Sequence, residues 1–218
     1  TIESILTTAS EQGAELIKEQ GVSVLGGLFT DTVASMVPGV GGAISSIRHS
    51  RLKKNVEEIE HLFNQRIEEI RHIFHSKTQQ QRIDIDKLFE FMLDGATTEP
   101  QVEKIEYFIN GFINIASHED IKEDFVLVFY DMLKELRLID LTVLKLYGRY
   151  YLSEDQEAIN SYRDVLNQHD ISYEQYEIVR RNLVRKGILT TKTNTILEKD
   201  LEAIEDAINN YTEGSVIR

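Results

Sequence analysis

The sequence predicts an all-α protein with a helical bundle over residues 1–137 and a smaller, mainly helical domain over residues 138–218. Apolar residues recur at spacings of three and four along most of the chain, which is typical of helices with one buried face. Half of the twelve glycines lie in residues 21–47, so the rest of the chain is poor in Gly and suited to helices. Because 41% of the residues are hydrophobic, the chain can bury a sizeable core.

Two elements open the predicted bundle. An amphipathic helix is predicted over residues 2–19, because its apolar residues follow a helical period. Residues 21–47 are then predicted to form an apolar, Gly-rich hairpin that carries one charge, Asp31, and turns at Pro38. The hairpin is interrupted by Pro and Gly and lacks the roughly 20 consecutive apolar residues of a conventional membrane span. We expect it to pack closely inside the bundle or to meet a membrane only conditionally.

A long helix over residues 43–77 is the clearest predicted element. At 1.5 Å per residue it would extend on the order of 50 Å and form a spine for the bundle. Its apolar residues alternate at spacings of four and three, with a gap at Arg66. The residues of this apolar repeat are Leu52, Val56, Ile59, Phe63, Ile70 and Ile73.

Three shorter helices complete the predicted bundle. They cover residues 83–93, residues 100–116 and a segment that begins at Asp120. In the third helix the apolar residues from Ile121 to Leu133 keep a helical period, which indicates packing in a bundle.

The second predicted domain contains a motif in residues 171–196, read as ISYEQYEIVRRNLVRKGILTTKTNTI. Ser172 is predicted to cap a helix that ends at Lys186 and Gly187, and a short strand is predicted to begin at Ile188. This motif resembles the second half of a winged-helix domain, and the resemblance extends over residues 140–196. It implies a small module with at most a short β-wing, followed by a C-terminal helix over residues 197–211. The short helix that usually precedes the recognition helix is poorly marked between residues 155 and 170.

In winged-helix DNA binders the matching helix enters the major groove. The residues that would contact nucleic acid, or a protein partner, are Arg180, Arg181, Arg185 and Lys186.

The charge distribution argues against DNA binding. The chain carries a net charge of −13, and residues 55–218 account for all of it, because five basic and five acidic residues precede them. Residues 140–192 hold eight basic and eight acidic residues, with Glu174 and Glu177 on the helix that would approach phosphates. DNA-binding domains usually present a net basic face. Protein contacts are therefore the favoured role for this module.

No catalytic motif is present, so we expect a non-enzymatic protein without a cofactor or a small-molecule substrate. Cys is absent, which excludes disulfides and thiolate zinc sites and favours the cytoplasm. Glu69, His72 and His75 lie within two turns of one helix, but no matching set occurs on another helix. They are interpreted as a solvated face, and no metal site is predicted.

Three functions remain open. The first is a protein-interaction or regulatory protein, in a bacterial or phage defence role, that binds another protein or a second copy of itself. The second is a membrane-active effector that releases residues 21–47 into lipid at the inner face of the membrane, with basic residues on anionic headgroups. The third is a DNA-binding transcription regulator. The predicted membrane or partner contacts are Leu25, Leu28, Phe29, Val37, Val40, Arg48, Arg51, Lys53 and Lys54.

Overall fold

A computed structural model describes residues 2–12, 42–148 and 159–190. Within these ranges all regular secondary structure is helical, and no strand occurs, which confirms the all-α prediction at this level. A short 3-10 turn, Val102–Lys104, precedes α5. The α-helices are α1 Ile2–Gln12, α2 Gly42–Gln65, α3 Ile67–Ser76, α4 Gln79–Thr98, α5 Ile105–Ser117, α6 Glu123–Glu135, α7 Leu138–Gly148, α8 Tyr162–His169 and α9 Tyr173–Arg185.

The predicted spine over residues 43–77 is two helices, α2 and α3, which meet at Arg66. The backbone of Arg66 has φ −106° and ψ 8°, outside the α-helical region. Its N–H donates to the Phe63 carbonyl three residues back, at 3.1 Å. The break coincides with the gap in the apolar repeat, and Ile67, Ile70 and Phe74 of α3 are buried beyond it.

The chain divides into two compact units, Thr1–Leu141 and Thr142–Arg218, with the division inside α7. The boundary expected from sequence lies close by, between residues 137 and 138. Most of the hairpin predicted over residues 21–47 and the whole of the closing helix predicted over residues 197–211 lie outside the described residues.

The core of the first unit is built around α4, which packs against α2, α5 and α6. Three fully buried rings from α2, α4 and α5 meet at its centre. The centroid of Phe89 is 5.4 Å from that of Phe63 and 5.6 Å from that of Phe112. Aromatic pairs at such distances add about 0.5–1.5 kcal/mol each beyond the area they bury.

Two glycines let α5 approach its neighbours. A Cβ atom on Gly95 of α4 would lie 2.3 Å from the ring of Phe108, and one on Gly111 of α5 would lie 2.5 Å from the ring of Phe129. Real side chains do not come this close. The small residues therefore fix how tightly α4, α5 and α6 pack.

A buried polar network joins the end of α4 to the start of α5. Lys104 and Glu99 form an ion pair with Nζ and Oε2 2.7 Å apart and both side chains at most 3% exposed. Glu99 also accepts a hydrogen bond from the Gln101 N–H at 3.0 Å. Asn55 of α2 donates to the carbonyls of Ala96 and Glu99 at 3.1 and 2.8 Å. These bonds satisfy groups that α4 leaves unpaired at its C-terminus.

The second unit contains α8 and α9, which pack against each other. The predicted cap is confirmed, because the Ser172 side chain accepts from the Gln175 N–H at the start of α9. Gly187 follows α9 with a φ of 73°, a conformation that favours Gly. No strand is present at residues 188–190. The helix α8 lies in the stretch where the sequence marks a helix poorly.

Candidate interaction surface

The helix α6 has one side that belongs to the core. Val126, Tyr130 and Leu133 are buried. The Tyr130 ring stacks on Phe108 with centroids 5.8 Å apart and an interplanar angle of 7°. Its hydroxyl donates to the Phe108 carbonyl at 3.4 Å, and burial raises the pKa of Tyr130. These contacts anchor α6 against α5.

A second side of α6 is apolar but exposed. Phe125 is 61% exposed, Val128 57% and Met132 42%, while Phe129 is half-buried between this side and the core. The four residues follow the spacing i, i+3, i+4 and i+7, which places them on one face of a helix. We call Phe125, Val128, Phe129 and Met132 the α6 stripe.

A groove of about 610 Å³ lies beside the α6 stripe, between α5 and α6. Phe125, Phe129 and Ile121 provide its apolar wall, and Asn110 and Asn114 of α5 provide polar groups opposite. The groove thus combines a large apolar surface with a few polar groups, as recognition sites commonly do.

Acidic side chains line the other edge of the α6 stripe. Asp124 precedes Val128 by four residues and Asp131 follows it by three, so both lie next to Val128 on the helix surface. Both are exposed, and no ion pair among the described residues involves either of them. We call Asp124 and Asp131 the acidic flank.

The lysines closest in sequence to the acidic flank pair with other carboxylates. Lys122 lies 3.6 Å from Asp120, and Lys134 lies 3.0 Å from Asp94. Lys87 of α4 lies 3.4 Å from Glu123 at the start of α6. The surface around the α6 stripe therefore keeps a negative charge.

The basic residues predicted to contact membranes lie on α2. Arg48, Arg51, Lys53 and Lys54 are all exposed there, and Lys53 is 3.8 Å from Glu57 in an exposed ion pair. The apolar residues of the same prediction lie outside the described residues; they are Leu25, Leu28, Phe29, Val37 and Val40.

The residues predicted to contact nucleic acid or a partner lie at the C-terminal half of α9. Arg180 is engaged with Glu177 through two hydrogen bonds of 2.9 and 2.8 Å. These bonds lower the pKa of the Glu177 carboxyl and raise that of Arg180. Arg181, Arg185 and Lys186 are exposed. Arg180 is therefore held in an ion pair with a residue of its own helix.

Sequence reasoning did not assign a functional role to the α6 stripe. The signal was present, because residues 125–130 read FVLVFY, six apolar residues in succession. A helix with one buried face needs only about half of its positions to be apolar. An uninterrupted apolar run in a helix at the edge of a bundle therefore indicates a second apolar face, in addition to the one that packs on the core.

No group of three or more His, Asp or Glu side chains within residues 2–12, 42–148 and 159–190 is placed to hold a metal ion. Over the same ranges, no helix combines the length and apolar character needed to cross a bilayer.

Comparison of the chain with protein-family models, curated proteins and solved structures finds no match.

Proposed function

We propose that this protein is a non-enzymatic interaction protein that acts in the cytoplasm and binds a protein partner through the α6 stripe. The exposure of Phe125, Val128 and Met132 on one face of an ordered helix supports this proposal. Contiguous apolar surface rimmed by polar residues is typical of interaction sites.

Burial of the α6 stripe supplies a free energy suited to binding. Complete burial of a large apolar side chain is favourable by about 1.5–3 kcal/mol. Three such side chains, already more than a third exposed on a helix anchored by Tyr130, can be covered without refolding of the bundle. Because contacts with the core already hold α6 in place, binding should not require a large loss of conformational entropy.

The proposal is tested by reconstitution with identified partners. Proteins that co-purify with the chain from the cells that produce it are identified and purified, and their affinities are measured by calorimetry. Val128→Gln should weaken at least one of these complexes by about tenfold or more, since about 1.4 kcal/mol corresponds to tenfold. Ile178→Gln is the matched control, because Ile178 of α9 is 58% exposed and Val128 is 57% exposed. Equal affinities for the two variants would contradict the proposal.

A second candidate function rests on the basic residues of α2. Arg48, Arg51, Lys53 and Lys54 are exposed together near the start of the helix, which suits contact with anionic headgroups at up to about 1 kcal/mol per charge. Co-sedimentation with anionic and neutral vesicles tests this function. Replacement of all four residues by Gln should abolish binding to anionic vesicles, and vesicle binding that survives this change would contradict it.

A further inference from the structure

We infer that the partner segment recognised by the α6 stripe is an amphipathic helix with Lys or Arg along one edge. This inference rests on the proposed function, because it assigns the chemistry of the segment that covers the same surface.

The shape of the site favours a helix. The α6 stripe presents apolar side chains at i, i+3, i+4 and i+7, and the groove of about 610 Å³ runs beside it between α5 and α6. An amphipathic helix binds such a surface through its own anchors at i, i+3 or i+4, and i+7. Its apolar side chains would insert beside Phe125 and Phe129, which form the apolar wall of the groove.

The negative charge of the acidic flank favours Lys or Arg along one edge of the partner helix. Asp124 and Asp131 are exposed one turn to either side of Val128, and the lysines nearest to them in sequence are paired with other carboxylates. A helix seated on the α6 stripe would bring its edge alongside both aspartates. Lys or Arg at that edge gains favourable contacts, whereas Asp or Glu meets like charge.

A second copy of the chain would complement the acidic flank less well than a basic helix would. Each copy carries the same acidic flank and a net charge of −13, so pairing through α6 would place two strongly acidic molecules together. Like-charge contacts at an interface oppose association. The charge complement of this surface is a basic segment from a different protein.

The test uses the 218-residue chain with three labelled helical peptides of about 18 residues, or five turns, and a fourth peptide as a control. Each peptide has Leu at helical spacing on one face. The remaining edge positions carry Lys in the first peptide, Gln in the second and Glu in the third. A fourth peptide contains the residues of the Lys peptide in an order that abolishes the apolar face. Binding is measured by fluorescence anisotropy at low and at physiological ionic strength.

We expect the Lys peptide to bind most tightly and the Glu peptide least. Val128→Gln should weaken binding of the Lys peptide by about tenfold, and Ile178→Gln should leave it unchanged. The double variant Asp124→Asn/Asp131→Asn should weaken it about three- to tenfold at low salt and less at physiological salt. Glu57→Gln/Glu90→Gln removes two exposed charges from α2 and α4 and should have little effect.

The remaining outcomes separate this inference from the proposed function. If the Lys and Gln peptides bind equally well and Val128→Gln abolishes the binding of both, the α6 stripe remains a binding surface. The inference that the partner helix has a basic edge would then be overturned. Two results would show that the Lys peptide is attracted only by the negative charge of the protein, and either would overturn the inference. In the first, Val128→Gln leaves binding of the Lys peptide unchanged. In the second, the peptide without an apolar face binds as tightly as the Lys peptide. Failure of all peptides would also overturn it, while the reconstituted natural complexes decide the proposed function independently.

Discussion

The neighbouring helices α5 and α6 have the same length, 13 residues each, and both are strongly apolar, but they use their apolar residues differently. In α5 six apolar residues are buried, and exposed positions such as Asn110 and Asn114 are polar. In α6 only Val126, Tyr130 and Leu133 are buried, and three further large apolar residues of the α6 stripe are exposed to at least 42%.

This difference shows that the apolar content of a helix does not by itself reveal what covers it. The buried face of α5 is covered within the bundle, because α2, α3, α4 and α6 all pack against it. Three residues of the α6 stripe are not covered by the described residues: Phe125, Val128 and Met132 are exposed. Their spacing is nevertheless as regular as that of a core face. We interpret α5 as a folding element and α6 as a folding element that also binds.

The largest expected contrast concerns the same substitution in the two helices. Phe112→Ala in α5 removes a fully buried ring and should lower the free energy of unfolding by about 3–5 kcal/mol. Phe125→Ala in α6 removes a ring that is 61% exposed and should change it by no more than about 0.5 kcal/mol. Urea unfolding of both variants measures the difference. Similar losses would mean that the α6 stripe belongs to the core.

The contrast between buried and exposed groups in α5 and α6 also applies to their ion pairs. Lys104→Met leaves Glu99 buried without its cation and should cost about 3–5 kcal/mol. Lys134→Met in α6 breaks the pair with Asp94, whose side chain is 73% exposed, and should cost about 0–1 kcal/mol. Chemical denaturation measures the free energy of unfolding of the two variants. If Lys104→Met does not lower it, the buried polar network near α5 is not needed for stability.

Glycine substitutions measure how firmly each helix is packed. Gly95→Ala would force apart α4 and the buried ring of Phe108, so we expect a loss of about 1–3 kcal/mol. Gly111→Ala meets Phe129, which is half-buried and can turn outward, so the loss should stay within about 1 kcal/mol after the gain in helix propensity. Gly148→Ala is the control, because nothing lies within 4 Å of its added Cβ. Melting temperatures that rank Gly111→Ala below Gly95→Ala would contradict this order.

The smallest expected effect is a pH dependence in the second unit. Burial lowers the pKa of His169 from 6.5, and its Nε2 lies 2.9 Å from the Thr142 hydroxyl. The unfolded chain therefore binds this proton more readily than the folded chain. Stability from His169 is fully present above about pH 6.5 and decreases as the pH falls toward the lower folded value. His169→Gln should reduce the loss of stability between about pH 7 and pH 5.5, and an unchanged loss would exclude His169 as a source.

Much of the fold could be predicted from the sequence, because local signals agree with the packing. The apolar repeat from Leu52 to Phe63 lies in α2, and Ser172 caps α9 as predicted. The break at Arg66 was visible only as a gap in the repeat, because a periodic pattern does not give backbone angles.

The candidate site was harder to predict from the sequence. The positions of Phe125, Val128 and Met132 follow the same helical period as a core face, and periodicity does not distinguish a face covered within the chain from one covered by a partner. Only the packing of α6 through Tyr130 and Leu133 shows which face the bundle uses. The buried pair of Glu99 and Lys104 was also missed, since charged residues are rarely fully buried unless they are paired in three dimensions.

Site-specific photo-cross-linking in the cells that produce the protein tests directly whether the α6 stripe binds another protein. A photoreactive phenylalanine analogue replaces Val128 in one variant and Ile178 in another, two positions of nearly equal exposure at 57% and 58%. We predict a discrete cross-linked product of higher mass from position 128, abolished by Met132→Gln in the same chain, and none of comparable yield from position 178. Equal yields from the two positions, or no product from position 128, would contradict the assignment of the α6 stripe as a protein-binding surface.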